Sequence, residues 1–299
     1  MKIAFGRWLI VLLVLMSFVG QAFARQSSIS LTPYLQAELT EIALLTAQSN
    51  YLQQHNDPLG AAVVASYVPD HQMQATMLSN AIRAAGGDPT KVKAESGTPF
   101  VGKRLAIVRH DLAQHRQAQN LYLDLMKRAT DPETKQLATL GFNGASRHFS
   151  SLTVAEAATV KTRTAQLEGL LAALTLERGT IVDLQTQAAR LQQLGDQNTA
   201  TILLNQVPAH QQQVNSLASL VTQMGGNPAL AVAPPTAALP TRNDILLHQQ
   251  VLARLFINTY ALPATAFPGT AIQTVSLQGQ NIQVQTMAAL GVTLPTKTV

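Results

Sequence analysis

The chain has 299 residues, of which 46% are hydrophobic, 12% are charged and 5% are aromatic, and it contains no cysteine. A sequence this apolar can bury enough surface to offset the entropy of folding, which excludes intrinsic disorder. The lack of cysteine excludes disulfide scaffolds, cysteine zinc clusters and thiol catalysis. The net charge is +5, but no basic stripe with interleaved aromatic residues accompanies it, so we expect no nucleic-acid partner.

Residues 1–24 have the features of a secretory signal peptide. Lys2 and Arg7 flank an apolar run at residues 8–19, and Ala22-Phe23-Ala24 supplies the small residues of a cleavage site. The run is about 12 residues long against the roughly 20 that a membrane helix needs, which favours cleavage over a retained anchor. We therefore expect a periplasmic or secreted protein that is cleaved after Ala24 and has no membrane span. Removing the two cations of the leader lowers the net charge to +3.

Two stretches of the chain repeat each other. Residues 68–89 (VPDHQMQATMLSNAIRAAGGDP) and 207–228 (VPAHQQQVNSLASLVTQMGGNP) align without a gap at an offset of 139 positions. The same offset pairs Glu38 with Glu177, and an offset of 138 relates further residues. These pairs are His110/His248, Arg116/Arg254, Asn120/Asn258 and Tyr122/Tyr260. The sequence thus predicts a tandem duplication of one unit of about 130 residues, with domains at 30–160 and 161–299.

Apolar residues recur at helical spacing in four segments of each unit. The first unit predicts helices over residues 34–55, 59–85, 103–129 and 132–158. The second predicts helices over residues 163–193, 197–224 and 241–261, while residues 268–290 could form a fourth helix or a pair of strands. Gly86-Gly87 followed by Pro89 is a helix stop, and Asp131-Pro132 is a helix start. The fold class is therefore all-α, with two tandem four-helix bundles of which the second is degenerate.

Pro69 and Pro208 fall inside the second predicted helix of their units. Proline removes a backbone donor and clashes with the preceding turn, so each is expected to kink its helix. An inherited packing kink is the simpler explanation. A kink two residues before a repeated histidine also suits a small polar pocket.

One inward-facing polar side chain from each helix of the first unit lies at a common level. Glu41 and His71 lie at nearly equal distances from the loop that joins their helices, and so do His115 and His148. Within each pair the distances differ by about 1.5–3 Å along the helix axes. Three imidazoles and a carboxylate suit zinc, copper or iron rather than calcium or magnesium. The sequence predicts one such ion bound by Glu41, His71, His115 and His148. For any one of these histidines alone, a hydrogen-bonded core residue is the commoner role.

The duplication keeps a rival set of residues, namely Glu38/Glu177, His71/His210 and His110/His248. Its register is poorer, because Glu38 is about 7 Å out of level with His71, and a solvated or capping Glu38 is expected. The second unit lacks three of the four residues that lie at a common level in the first unit. There Thr180 replaces Glu41, Arg254 lies near the place of His115, and residues around Gln283 replace His148. Any metal site is therefore predicted in the first unit.

Four short motifs stand in a familiar order. They are Leu39-Thr40-Glu41-Ile42-Ala43-Leu44, Val68-Pro69-Asp70-His71, His115 followed 16 residues later by Asp131-Pro132-Glu133, and Arg147-His148. In this order and spacing they resemble the exported bacterial ferritin-like domains of unknown function. The resemblance covers residues 33–155 and implies a ferritin-like four-helix bundle located in the cell envelope, without implying an activity. The second half resembles the family only through the first.

The chain departs from the di-iron pattern of ferritin-like proteins, which uses carboxylate-x-x-His on two helices. Val68 and Ala145 stand three positions before His71 and His148, and the third helix lacks a glutamate. Iron oxidation at a dinuclear centre is therefore not expected. The leading hypothesis is a non-enzymatic envelope protein that binds one iron, copper or zinc ion. The alternative is a structural or interaction module that self-associates or binds another envelope protein, and an iron-dependent oxidase is third.

Overall fold

A computed structural model of the chain describes residues 29–291. The predicted signal peptide and its cleavage site at Ala24 lie outside the described residues. Within residues 29–291 the regular structure is entirely helical, which confirms the all-α prediction. The α-helices are α1 (Thr32–Gln54), α2 (Pro58–Ala65), α3 (Val68–Ala84), α4 (Arg104–Arg128), α5 (Pro132–Val160), α6 (Arg163–Gln193), α7 (Gln197–Leu204), α8 (Val207–Gln223), α9 (Arg242–Ala266) and α10 (Ala271–Ala289).

Local sequence signals explain where most helices begin and end. The carboxylates of Asp57, Asp131 and Asp196 accept hydrogen bonds from backbone N–H groups three residues onward, at the starts of α2, α5 and α7. Gly86 and Gly225 follow α3 and α8 with φ of 82° and 85°, a left-handed conformation that favours glycine. These caps and stops fall at matching places in the two halves.

The two prolines break their helices instead of kinking them. The helix expected over residues 59–85 is divided into α2 and α3 by a turn at residues 66–67, and Pro69 lies in the first turn of α3. α7 and α8 are separated in the same way before Pro208. A proline is tolerated in the first helical turn because the N–H groups there have no partner inside the helix. A continuous kinked helix was therefore the wrong expectation.

The segment 268–290, for which strands were considered, forms α10. The Thr270 hydroxyl accepts a hydrogen bond from the N–H of Gln273 at its start, and one face of the helix is buried, including Val275 and Ile282. This face packs on α8 and α9. Packing therefore outweighs the weak helix propensity of the threonine and valine residues in this segment.

α5 lies at the centre of the molecule, where it packs against α4 on one side and against α6 and α9 on the other. One apolar core continues from the first half into the second, and includes Leu152 of α5, Leu174 of α6 and Phe256 of α9. None of the helices within residues 29–291 is long and apolar enough to cross a membrane.

Candidate metal centre

Three histidines from three different helices meet inside the first half. His71 of α3, His115 of α4 and His148 of α5 are all buried, and their ring centroids lie 4.8–5.6 Å apart. One nitrogen atom of each ring lies within 4.8 Å of the corresponding atoms of the other two. Their level and inward direction agree with the register of the sequence, and the group is able to hold a metal ion.

Glu38 fixes the orientation of the His71 ring. The Nδ1 atom of His71 lies 2.6 Å from Oε2 of Glu38, while the Tyr122 hydroxyl donates a hydrogen bond to Oε1 of the same carboxylate. Burial and the neighbouring Glu38 carboxylate raise the pKa of Tyr122 well above its usual value, so its hydroxyl remains a donor. A proton on Nδ1 of His71 leaves Nε2 as the atom that faces the other histidines, and this buried atom has no hydrogen-bond partner.

Oxygen atoms also set the tautomers of the other two rings. The Nδ1 atom of His115 lies 2.9 Å from the backbone oxygen of Asp111, which only accepts, so Nδ1 carries the proton. The Nε2 atom of His148 lies 3.0 Å from Oδ2 of Asp70. This contact is off the ideal hydrogen-bond direction, yet a carboxylate at that distance still favours a proton on Nε2. Each proposed ligand thus has an oxygen partner on the side away from the centre, as in known metal sites.

One nitrogen of His115 and one nitrogen of His148 face each other. Nε2 of His115 lies 3.1 Å from Nδ1 of His148. At this distance the two atoms share a hydrogen bond, or a bound cation takes the place of its proton. Burial lowers the pKa of His115 to about 4 and that of His148 to about 3, so both rings are uncharged at neutral pH. Two imidazoles bound to one ion at about 2.0–2.1 Å would be separated by a similar distance.

Asp70 stays ionised next to His148. Burial alone would raise the pKa of Asp70, but Arg147 and His148 lower it well below its usual range. The Arg147 guanidinium lies 3.3 Å from Oδ2 of Asp70, the oxygen that faces His148. The negative charge is therefore balanced within the core.

Glu41, the predicted fourth ligand, lies at the edge of the centre. Its Oε1 atom is 4.0 Å from Nδ1 of His115, on the side of that ring which faces Asp111, and this oxygen has no hydrogen-bond partner. The converging group within residues 29–291 contains the three histidines and not Glu41. Burial raises the pKa of Glu41, and the charge of His71 offsets part of that rise.

The rival set of repeated residues meets only in part. The register had suggested that Glu38 is solvated or caps a helix. Instead, Glu38 is buried and contacts His71. The register had placed Glu38 too far from His71 along the helix axes, because it took no account of side-chain length and helix tilt. His110 lies outside the centre, where its ring stacks on Phe100 with centroids 4.4 Å apart.

The second half contains the Glu–His–Tyr arrangement without the other two histidines. Nδ1 of His210 lies 2.6 Å from Oε2 of Glu177, and the Tyr260 hydroxyl donates to Oε1 at 2.7 Å. At the offset of 138 that relates Tyr122 to Tyr260, Ala253 corresponds to His115 and Thr286 to His148. Arg254, which had been placed near the position of His115, is exposed.

Sequence reasoning overlooked the partners of the histidines. Tyr122 was noted only as one half of a repeated pair, and Asp111 and Arg147 were assigned no role. The pairing of Glu38/Glu177, His71/His210 and Tyr122/Tyr260 at nearly one offset was the available signal for a repeated hydrogen-bonded group.

Comparison with known proteins provides no family assignment. The chain matches no protein-family model, and neither the curated proteins nor the solved structures contain a significant match.

Proposed function

We propose that this protein is an exported, ferritin-like helical protein of the cell envelope that binds one transition-metal ion through His71, His115 and His148. The observation that carries the proposal is the convergence of one ring nitrogen from each of three buried histidines, each ring having an oxygen partner on its far side. Three imidazoles suit zinc, copper or iron. Glu41 lies at the edge of this centre, outside the converging group.

The matching helix order, caps and stops of the two halves support a tandem duplication, and the motif order at residues 33–155 supports the ferritin-like assignment. The second half then retains the hydrogen-bonded Glu177–His210–Tyr260 group but not the metal ligands. We assign the metal to the first half alone.

Metal analysis of protein purified without chelator tests the proposal. About one equivalent of zinc, copper or iron is expected in the wild type and almost none in a His71→Ala/His148→Ala double variant. The matched control is His210→Ala/Thr286→Ala, which removes the corresponding buried side chains of the second half and should retain the metal. If the wild type and both double variants contained equally negligible amounts of metal, the proposed site would be refuted.

One observation favours the alternative, a structural or interaction module. The same Glu–His–Tyr contacts exist in the second half, where the remaining histidines are missing, so this group serves to hold helices together there. In that case chelators leave the melting temperature unchanged. A bound ion instead raises the stability by about 2.7 kcal/mol when the free ion is at 100 times its Kd.

A further inference from the structure

A pocket opens beside the candidate metal centre, between α1 and α4. It has a volume of about 390 Å³, and the rings of His71 and His115 form part of its lining. Glu41 and Tyr122 also line it, and Glu95 from the connection after α3 lies at its margin. The pocket therefore lies against two of the three histidine rings, on one side of the bundle.

α1 and α4 barely touch, and the same is true of α6 and α9 in the second half, so the side chains between each pair decide whether a pocket remains. The Tyr122–Glu38 hydrogen bond joins the two helices in the pocket wall, and further side chains bridge them on either side. At one end Gln48 donates a hydrogen bond of 2.8 Å to Asp111, and at the other the rings of Tyr34 and Tyr122 are in contact. Between these bridges the facing residues Ala37 and Ala118 are too small to fill the gap.

The corresponding gap of the second half is filled. At the repeat offsets, Leu176 replaces Ala37 and Phe256 replaces Ala118, and both large side chains are buried in the core. The connection after α8 also closes over α6 there, because the Arg178 guanidinium donates to the backbone oxygens of Pro228 and Ala231, and Pro234 lies against Gly179. In the first half, the corresponding connection contributes one hydrogen bond to α1, from the N–H of Glu95 to Thr40.

We infer that this pocket is a binding site for a small, neutral nitrogen or oxygen donor that completes the coordination of the ion. This inference rests on the metal site proposed above. Three histidines leave at least one position of a tetrahedral ion free, and an ion with three protein ligands binds an exogenous molecule in the remaining place. The pocket supplies the space, directly against the rings of His71 and His115. The second half lacks the metal ligands, and its equivalent gap is filled, as expected if the pocket serves to bind a donor to the ion.

The lining determines which donors the pocket accepts. It includes the carboxylates of Glu38, Glu41 and Glu95, and no lysine or arginine among the described residues. Such a lining disfavours anions. The unpartnered Oε1 atom of Glu41 is an acceptor for an N–H or O–H of the bound molecule. Imidazole, a neutral ring with one coordinating nitrogen and one N–H, matches these requirements and serves as the probe.

The experiment uses the purified protein loaded with Co²⁺, whose visible spectrum reports coordination. Co²⁺ binding is measured first, so that a protein unable to bind it refutes the metal site, and this inference with it. In the loaded wild type, imidazole should change the spectrum saturably, and azide should bind at least about tenfold more weakly. A spectrum indifferent to imidazole, or a preference for azide, overturns the pocket's role while leaving the metal site standing.

Variants that fill the pocket provide the decisive comparison. Ala118→Phe introduces the residue found in the second half, and Ala37→Leu does the same from α1 at an exposed position that tolerates a larger side chain. Each should retain Co²⁺ yet bind imidazole at least about tenfold more weakly. Ala113→Phe adds the same ring to α4 outside the pocket and should behave as the wild type. An undiminished imidazole response in both filled variants, with helicity intact, refutes the inference.

Discussion

Glu38 lies 2.6 Å from Nδ1 of His71, and Glu177 holds His210 at the same distance with the same atoms. In both halves a tyrosine donates to the second oxygen of the carboxylate. One buried polar group therefore joins three helices in each half. Only in the first half does the far nitrogen of the histidine face two further imidazoles, so the structural group there also orients a residue of the candidate metal centre.

Replacing Glu38 or Glu177 by glutamine should separate the structural role from metal binding. Each change leaves a buried histidine and tyrosine with poorer partners, so each should lower the free energy of unfolding by about 1–3 kcal/mol. Only Glu38→Gln should weaken metal binding, by about 10- to 100-fold, because it alone alters the partner of a ligand. Urea unfolding and zinc titration measure the two effects. Equal zinc affinity in the two variants would contradict the role of Glu38.

Metal binding should displace about one proton at neutral pH. Burial lowers the pKa of His71, but the Glu38 carboxylate outweighs it and raises the pKa to about 9, so the free ring is protonated at pH 7. His115 and His148, with pKa values of about 4 and about 3, are already neutral. Because His71 must lose its proton to bind an ion, the apparent affinity should fall about tenfold for each pH unit below 9.

Calorimetric zinc titrations in buffers of different ionisation enthalpy count the displaced protons. One proton per zinc is expected at pH 7, and the His210→Ala control should release the same number. In Glu38→Gln the number should decrease, because the carboxylate that raises the pKa of His71 is gone. Release of two or three protons would show that His115 and His148 are also charged in the free protein.

The helices followed from local signals in the sequence, whereas the partners of the histidines did not. Apolar spacing and caps such as Asp131 and Gly86 act within a few residues, so they are readable along the chain. The constant rise per residue of a helix predicted correctly that His71, His115 and His148 lie close together. They misplaced Glu38, since a tilt or a long side chain shifts the level of a carboxylate by several ångströms. The gap between Ala37 and Ala118 depends on helix separation, which no local pattern encodes.

Export should remove the first 24 residues. The basic start, the short apolar run and Ala22-Phe23-Ala24 predict cleavage between Ala24 and Arg25. Intact mass and N-terminal sequencing of the protein recovered from the periplasm or medium should give Arg25 as the first residue. An Ala22→Arg/Ala24→Arg variant should accumulate uncleaved, since bulky charged residues do not fit a small-residue cleavage site. A wild-type protein that keeps Met1 and remains in the membrane fraction would indicate a retained anchor.

Gly141 gives Tyr122 the space that it needs beside Glu38. A Cβ atom at residue 141 would overlap the Tyr122 ring, and one at Gly279 would overlap Tyr260 in the second half. Alanine normally stabilises a helix interior by about 1 kcal/mol over glycine, but overpacking of this kind costs about 1–3 kcal/mol. We therefore expect Gly141→Ala and Gly279→Ala to unfold at lower urea concentrations than the wild type.

The control for helix propensity is Ala113→Gly, at an exposed position of α4, which should cost about 1 kcal/mol through propensity alone. Gly141→Ala should also weaken zinc binding, because the displaced Tyr122 no longer donates to the carboxylate that orients His71. Gly279→Ala should leave zinc binding unchanged, since His210 has no neighbouring imidazoles at the corresponding positions. If Gly141→Ala stabilised the protein, the close packing of Tyr122 on α5 would be refuted.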